Sequence, residues 1–278
     1  VWLAIGVAVV GVIVTQIVGA IGLVLWYFAT GGTQDRLLAD FVELATMPVA
    51  VIFMAGLSQL AIVAVAIGAA WLSPQPVRQR LGLVRPSLSH GTIAMTVVGS
   101  LVPLAIGVGL ALWLKEYMEP DPSIKNLYEK MTPATAVPFI LFIALAPGFC
   151  EEILFRGYVQ RRFLERWSAW VALLVTSVIF AIFHVMPHAI LAAFPLGLWF
   201  GVLAWRSGSI WPGILCHAAV NGAWNVRNVG MKLGFFPEEM SAVVLIALLS
   251  VGALAFGWSV WAMIGRGDQF PSGGRDLL

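Results

Sequence analysis

The stretch AVPFILFIALAPGFCEEILFRGYV, residues 136–159, decides the fold. It is apolar enough to cross a bilayer, which takes about 20 such residues, yet it contains Glu151, Glu152 and Arg156. Charged groups at bilayer depth are costly, and they persist where they line a polar cavity or do chemistry. Two more apolar stretches carry polar groups in the same manner, Phe180-x-x-x-His184 and His217-x-x-x-Asn221. Two carboxylates, an arginine, two histidines and an asparagine together point to a hydrolytic site.

The rest of the chain fits a membrane setting. It is 60% hydrophobic and 11% charged, with a mean hydropathy of +0.92, whereas a soluble domain is about 25% charged. An all-α, polytopic membrane bundle is expected, with the lipid bilayer as its surroundings and no nucleic-acid partner. Two cysteines in 278 residues exclude a disulfide scaffold. The first apolar segment exceeds a signal-peptide core of about 7–15 residues, so it is expected to be a retained helix.

About eight spans are expected, at residues 2–28, 43–72, 91–114, 134–162, 168–186, 188–205, 210–228 and 240–264. Pro147 and Gly148 should kink the fourth. Pro187 supplies the break between the fifth and the sixth. The N-terminal helices occupy 1–132, a catalytic core 133–229, and a last helix with a polar, Gly-rich tail 230–278. Arg78, Arg80, Arg85, Arg156, Arg161, Arg162, Arg166, Arg206, Arg266 and Arg275 fall on one side. Arg36, Lys115, Lys125, Lys130, Arg227 and Lys232 fall on the other, with most of the acids. Positive charge favours the cytoplasmic side, so both termini are expected in the cytoplasm, in a bacterial inner membrane.

Helix rise brings the clusters to one layer. Measured from the expected helix ends, Glu151 lies about 16 Å deep, His184 about 21 Å, His217 about 9 Å and Asn221 about 15 Å. One shared polar cavity follows. Glu152 and Arg156 are four apart, with the acid first, the favourable order for an intrahelical pair. Glu151 points about 100° away, so Arg156 cannot neutralise both acids. Glu152 is then the paired, structural carboxylate and Glu151 the free one, suited to a general base. His217 and Asn221 share a helix face and can donate to a developing oxyanion. Phe180 and Asn225 are expected as cavity lining, with Phe180 more suited to packing than to chemistry.

Other polar or small residues have blander readings. His188 is interfacial and His90 solvated. Cys150 and Cys216 are small packing residues. Gly197-x-x-x-Gly201 permits close helix approach and offers a dimerisation face. Gln16 and Gln59 are interhelical bonding partners.

At Glu-Glu-Ile-Leu-Phe-Arg-Gly, residues 151–157, the chain resembles the CAAX-processing and bacteriocin-processing (CPBP, or Abi) intramembrane proteases, which include type II CAAX prenyl endopeptidases. That family's pattern is Glu-Glu-x-x-x-Arg, Phe-x-x-x-His and His-x-x-x-Asn/Asp, and all three occur here in order. The segment from Gly201 to Asn221 also resembles the family's sixth-to-seventh helix segment. The likeness covers about residues 133–229. It implies a helical bundle with a cavity between helices and endoproteolysis near a C-terminus or a leader junction. By motif position it makes Glu151 the catalytic carboxylate, with Glu152 and Arg156 in support and His184, His217 and Asn221 completing the site.

Two mechanisms follow for such an intramembrane endopeptidase. In the preferred one no metal or cofactor takes part: Glu151, assisted by His184, activates water, and His217 with Asn221 holds the oxyanion. In the alternative, zinc is held by Glu151, His184 and His217, with water as fourth ligand. The family is often described as metalloproteases. Against zinc, no His-Glu-x-x-His occurs, and a metal-bound Glu151 leaves the base unassigned. The substrate is a membrane-associated protein or peptide. Two other classes compete, a non-catalytic immunity or binding protein and a transporter or proton relay. Transport predicts polar residues in both halves of the chain, and here they cluster in the C-terminal half.

Overall fold

Thr132 starts the helix that matters most. Its hydroxyl accepts from the Thr135 N–H and its own N–H is taken by Thr135 Oγ1, a reciprocal cap that satisfies two otherwise orphaned groups. Pro133 follows at the first helical position, where a missing N–H costs nothing. In this computed structural model, which describes residues 2–264, α8 then runs Pro133–Glu152 straight through Pro138 and Pro147. It passes into a π-helical segment, Ile153–Gln160, and ends in α9, Arg161–Leu164.

The other helices are α1 (Trp2–Ala29), α2 (Leu37–Ala45), α3 (Pro48–Trp71), α4 (Val77–Arg80), α5 (His90–Gly99), α6 (Leu101–Lys115) and α7 (Pro122–Glu129) before it. After it come α10 (Ala169–Ile182), α11 (Pro187–Ser207), α12 (Trp211–Lys232) and α13 (Ala242–Ile264). Among the described residues, six spans are long and apolar enough to cross a membrane: Val9–Ala29, Pro48–Trp71, His90–Lys115, Pro133–Leu164, Pro187–Ser207 and Ala242–Ile264. This is an integral, multi-pass membrane protein. The remaining two expected spans are present as helices. One, α10, has 14 residues, about 21 Å at helical rise against a hydrocarbon core of about 30 Å. The other, α12, has 22 residues but is diluted by His217, Asn221, Asn225, Arg227 and Asn228. The tail expected after residue 264 lies outside the described residues.

The centre of the molecule is the π segment. All eight of its residues are buried, and it packs against α1, α3, α10 and α11. Its apolar members join Ile62, Ala66, Leu173 and Phe180 in the largest core cluster. A π turn is wider than an α turn and recurs at functional sites. Around this centre α1 lies on α3, α8 on α12, α6 and α10 on α11, and α13 on α5. Large apolar side chains such as Leu60, Leu145, Trp170 and Leu254 point outward, as a lipid-facing surface requires.

Glycines allow the closest approaches. A Cβ at Gly148 would lie 3.0 Å from the Ala218 backbone N, and one at Gly157 2.7 Å from the Leu81 carbonyl. The Gly197/Gly201 face is occupied within the chain and not by a second copy. A Cβ at Gly197 would meet the Phe180 ring at 3.0 Å, and one at Gly201 would meet Gln160 Oε1 at 2.9 Å. This corrects the dimerisation expectation.

Candidate active site

Glu152 and Arg156 form an ion pair with 0% exposure on both side chains, Nη1 to Oε1 at 2.7 Å. The pairing expected from the i,i+4 spacing is therefore present, and it carries across the start of the π segment. Arg156 reaches further: Nη2 donates to the Gly197 carbonyl at 2.9 Å, and its guanidinium lies 4.2 Å from the Phe180 ring centre. One turn on, Gln160 Nε2 donates to the Gly201 carbonyl at 2.9 Å. Two parallel donors thus tie the π segment to the glycine face of α11. The sequence gives no local signal for either bond, since donor and acceptor are 41 residues apart.

Glu152 has a second partner. Its Oε1 also faces His217 Nδ1 at 3.0 Å. A carboxylate that accepts Nδ1–H fixes the tautomer and orientation of the ring and directs Nε2 to the reaction. The ring is further held by Phe200, stacked at 5.0 Å, and by the edge of Phe180 at 5.8 Å. His217 is 4% exposed. Gly213, one helical turn before His217, makes room for this arrangement: a Cβ there would sit 2.9 Å from Glu152 Oε2. Glu152 cannot swing away, because Arg156 and His217 both hold it. Gly213→Ala is expected to displace the carboxylate and its histidine, lowering kcat by about 10- to 100-fold with helix content retained, as a misplacement near 1 Å does. Turnover and circular dichroism of the purified variant check this.

Glu151 points elsewhere, as its 100° offset predicts. It is 6% exposed and its Oε1 accepts from Gln59 Nε2 of α3 at 3.1 Å. Its Oε2 is buried without a hydrogen-bond partner in the protein. Gln59 does bond between helices as expected, and its partner is a site carboxylate, which the sequence could not indicate. Among the described residues no hydrogen bond joins Glu151 to His184 or His217.

His184 lies beyond the helix that was expected to carry it. The last turn of α10 closes at Ile182, and His184 sits in the turn before Pro187. Pro187 is pre-organised to start α11, and the following residue, Val185, adopts φ 63°, a left-handed conformation that is strained for a β-branched residue. His184 Nδ1 lies 3.0 Å from the Phe180 carbonyl, one of the orphaned acceptors at a helix end. Its ring packs on Phe180 at 5.0 Å. Phe180 is 1% exposed and touches Arg156, His184 and His217 at once, so it is a packing hub and not the wall of an open cavity.

Asn221 Nδ2 donates to the Ile143 carbonyl at 3.2 Å. Pro147 has no N–H to give that carbonyl, which is four residues before it, so the proline of α8 and the asparagine of α12 complement each other. An amide nitrogen has two hydrogens, and this bond uses one of them. Asn225 is 5% exposed. Its Nδ2 donates to the Asn221 carbonyl at 2.8 Å and its Oδ1 accepts from Tyr128 of α7 at 2.9 Å. Burial pushes the Tyr128 phenol up to about 12, so it remains a donor. Asn225 therefore braces the helix that carries His217 and Asn221.

The residues set aside earlier remain outside the site. Cys216 Sγ donates to Thr96 Oγ1 at 3.5 Å, Cys150 is half-buried, and His90 opens α5. His188 is half-buried near the start of α11. Gln16 lines a cavity of about 330 Å³ between α1 and α3, together with Thr15, Met54 and Ser58. For the zinc alternative, the described residues do not fit a metal. No three His, Cys, Asp or Glu side chains among them are placed to hold one.

Fold and site define a class: a multi-pass membrane protein with a buried carboxylate pair, one acid charge-compensated and bonded to a histidine, the other not. Residues 133–223, the segment bearing all three motifs, match the family model described as Type II CAAX prenyl endopeptidase Rce1-like, the likeness the motifs implied. A curated protein of Escherichia coli, described as an uncharacterized 24.3 kDa protein, is 30% identical over 152 residues, which is 53% of this chain. The chain spans 66% of that relative's length. No solved structure matches.

Proposed function

We propose that this protein is an intramembrane endopeptidase that hydrolyses a peptide bond of a membrane-associated protein or peptide, working from a bacterial inner membrane with both termini in the cytoplasm. The observation that carries the proposal is the division of labour between adjacent acids. Glu152 is charge-compensated, its Oε1 held by the Arg156 cation and by His217 while its Oε2 has no partner in the protein. Glu151 has only a neutral partner and keeps one oxygen free.

In this scheme Glu151 Oε2, assisted by His184, takes a proton from water, and the water oxygen attacks the scissile carbonyl carbon. The carbonyl oxygen gains charge and is met by the second amide hydrogen of Asn221 and by His217 Nε2. The Glu152 carboxylate supports the doubly protonated ring, in which Nε2–H donates. Protonated Glu151 then gives its proton to the leaving amine as the C–N bond breaks. No step is routed through a metal. Exhaustive chelation is expected to leave cleavage unchanged. Metal analysis of the purified protein checks this, and stoichiometric zinc that leaves together with activity would sink the scheme.

The reading itself is tested by comparing peptide termini in native cells carrying wild type or Glu151→Ala at equal abundance, with direct cleavage then confirmed in purified protein. Termini that vanish with the variant support a protease. If no terminus changes while deletion of the whole protein still has a phenotype, a non-catalytic binding protein takes its place.

A further inference from the structure

Gln59 lies outside the matched segment, on α3, yet it is the one side chain that hydrogen-bonds Glu151 among the described residues. It is 7% exposed, as buried as the acid it meets. The orientation of its amide is forced, because reversing it would set Oε1 against a carboxylate oxygen and lose the bond. That leaves Gln59 Oε1 and Glu151 Oε2, the second polar atoms of two hydrogen-bonded side chains, as buried acceptors with no donor in the protein. Buried polar groups are nearly always satisfied. A single water molecule has two O–H bonds and can serve both acceptors.

Resting on the peptidase proposal above, we infer that Gln59 is a positioning residue for the hydrolytic water. Its amide N–H pins Glu151 Oε1, so that Oε2 keeps one direction. Its amide oxygen takes one hydrogen of the water while Glu151 Oε2 takes the other. The water's lone pair is then aimed away from both acceptors, toward the carbonyl carbon. Gln59 forms no bond to the substrate and changes no protonation state. It fixes which oxygen of Glu151 works and where the nucleophile stands. The N-terminal helices thus contribute to chemistry and not only to the surroundings of the motif-bearing segment.

The test uses the full-length protein in lipid vesicles and a peptide spanning a cleavage site found in the terminus comparison. Gln59→Met keeps length and removes both polar atoms. It is expected to lower kcat per folded molecule about 10- to 100-fold, the worth of a hydrogen bond to a charged group, with KM at its wild-type value, whatever Tm is lost with the interhelical bond. A merely structural role would move Tm and the folded fraction and leave kcat per folded molecule intact, and that result overturns the inference. So does a raised KM at unchanged kcat, which marks substrate contact. If Gln59→Met fails to fold, Gln59→Asn, which keeps an amide but withdraws it by one methylene, is read in the same way. Glu151→Gln separates the two levels. If it cleaves like wild type, the peptidase mechanism falls and the inference with it. If it is inactive while Gln59→Met is normal, only the inference falls.

Discussion

Glu151→Gln is expected to lower turnover by about 10²–10⁴-fold, the contribution of a positioned general base, while the protein stays folded. The size of the side chain is unchanged. The new amide oxygen can still accept from Gln59 Nε2, now 3.1 Å from Oε1, so the α3–α8 bond survives. What is lost is the capacity to take a proton from water. Because Arg156 is neutralised by Glu152 and not by Glu151, removing the Glu151 charge strands no buried cation. Peptide cleavage by purified protein, with Tm measured on the same sample, checks both halves. A variant within about tenfold of wild type, a margin smaller than any general base supplies, would remove Glu151 from the chemistry.

Arg156→Ala carries the largest expected effect on stability. Removing one partner of a buried pair costs about 3–5 kcal/mol, because the remaining charge has no water to return to. Here the remaining charge is Glu152, at 0% exposure. The substitution also deprives the Gly197 carbonyl of its guanidinium donor and the Phe180 ring of its cation. The loss should therefore reach His217, whose Nδ1 depends on the same carboxylate oxygen. Arg156→Lys is expected to recover only part of it, since one ammonium cannot match a planar fork that reaches Glu152 and Gly197 together. Thermal unfolding in a fixed detergent, followed by tryptophan fluorescence, measures the effect. A wild-type Tm for Arg156→Ala would show that the pair does not brace the core.

The contrast between the two acids was open to inspection in the sequence. Arg156 lies four positions after Glu152 and Glu151 one position before it, and helical geometry converts those spacings into one paired and one unpaired carboxylate. The break at Pro187 was also legible, but its cost to α10 was not. Starting the next helix at Pro187 confines the previous one to 14 residues and leaves His184 in the turn, where its neighbour Val185 takes a left-handed conformation. The fourth span shows a similar limit. The helix continues through Pro147 and changes form after Glu152. A proline's missing donor is a local fact, but Asn221, which serves the freed Ile143 carbonyl, belongs to another helix.

Apolar composition and the lengths of its runs were enough to make this chain a membrane-embedded helical protein, because a bilayer leaves a backbone few other ways to satisfy its own hydrogen bonds. Helical spacing was enough to pair Glu152 with Arg156. Only the tertiary structure decided who meets whom across helices: Glu152 with His217, Arg156 with Gly197, Gln59 with Glu151. Those contacts join residues 41 to 92 positions apart. They depend on which glycine faces let two helices close and on where the π segment widens, and neither distance nor facing direction is written in a run of apolar letters.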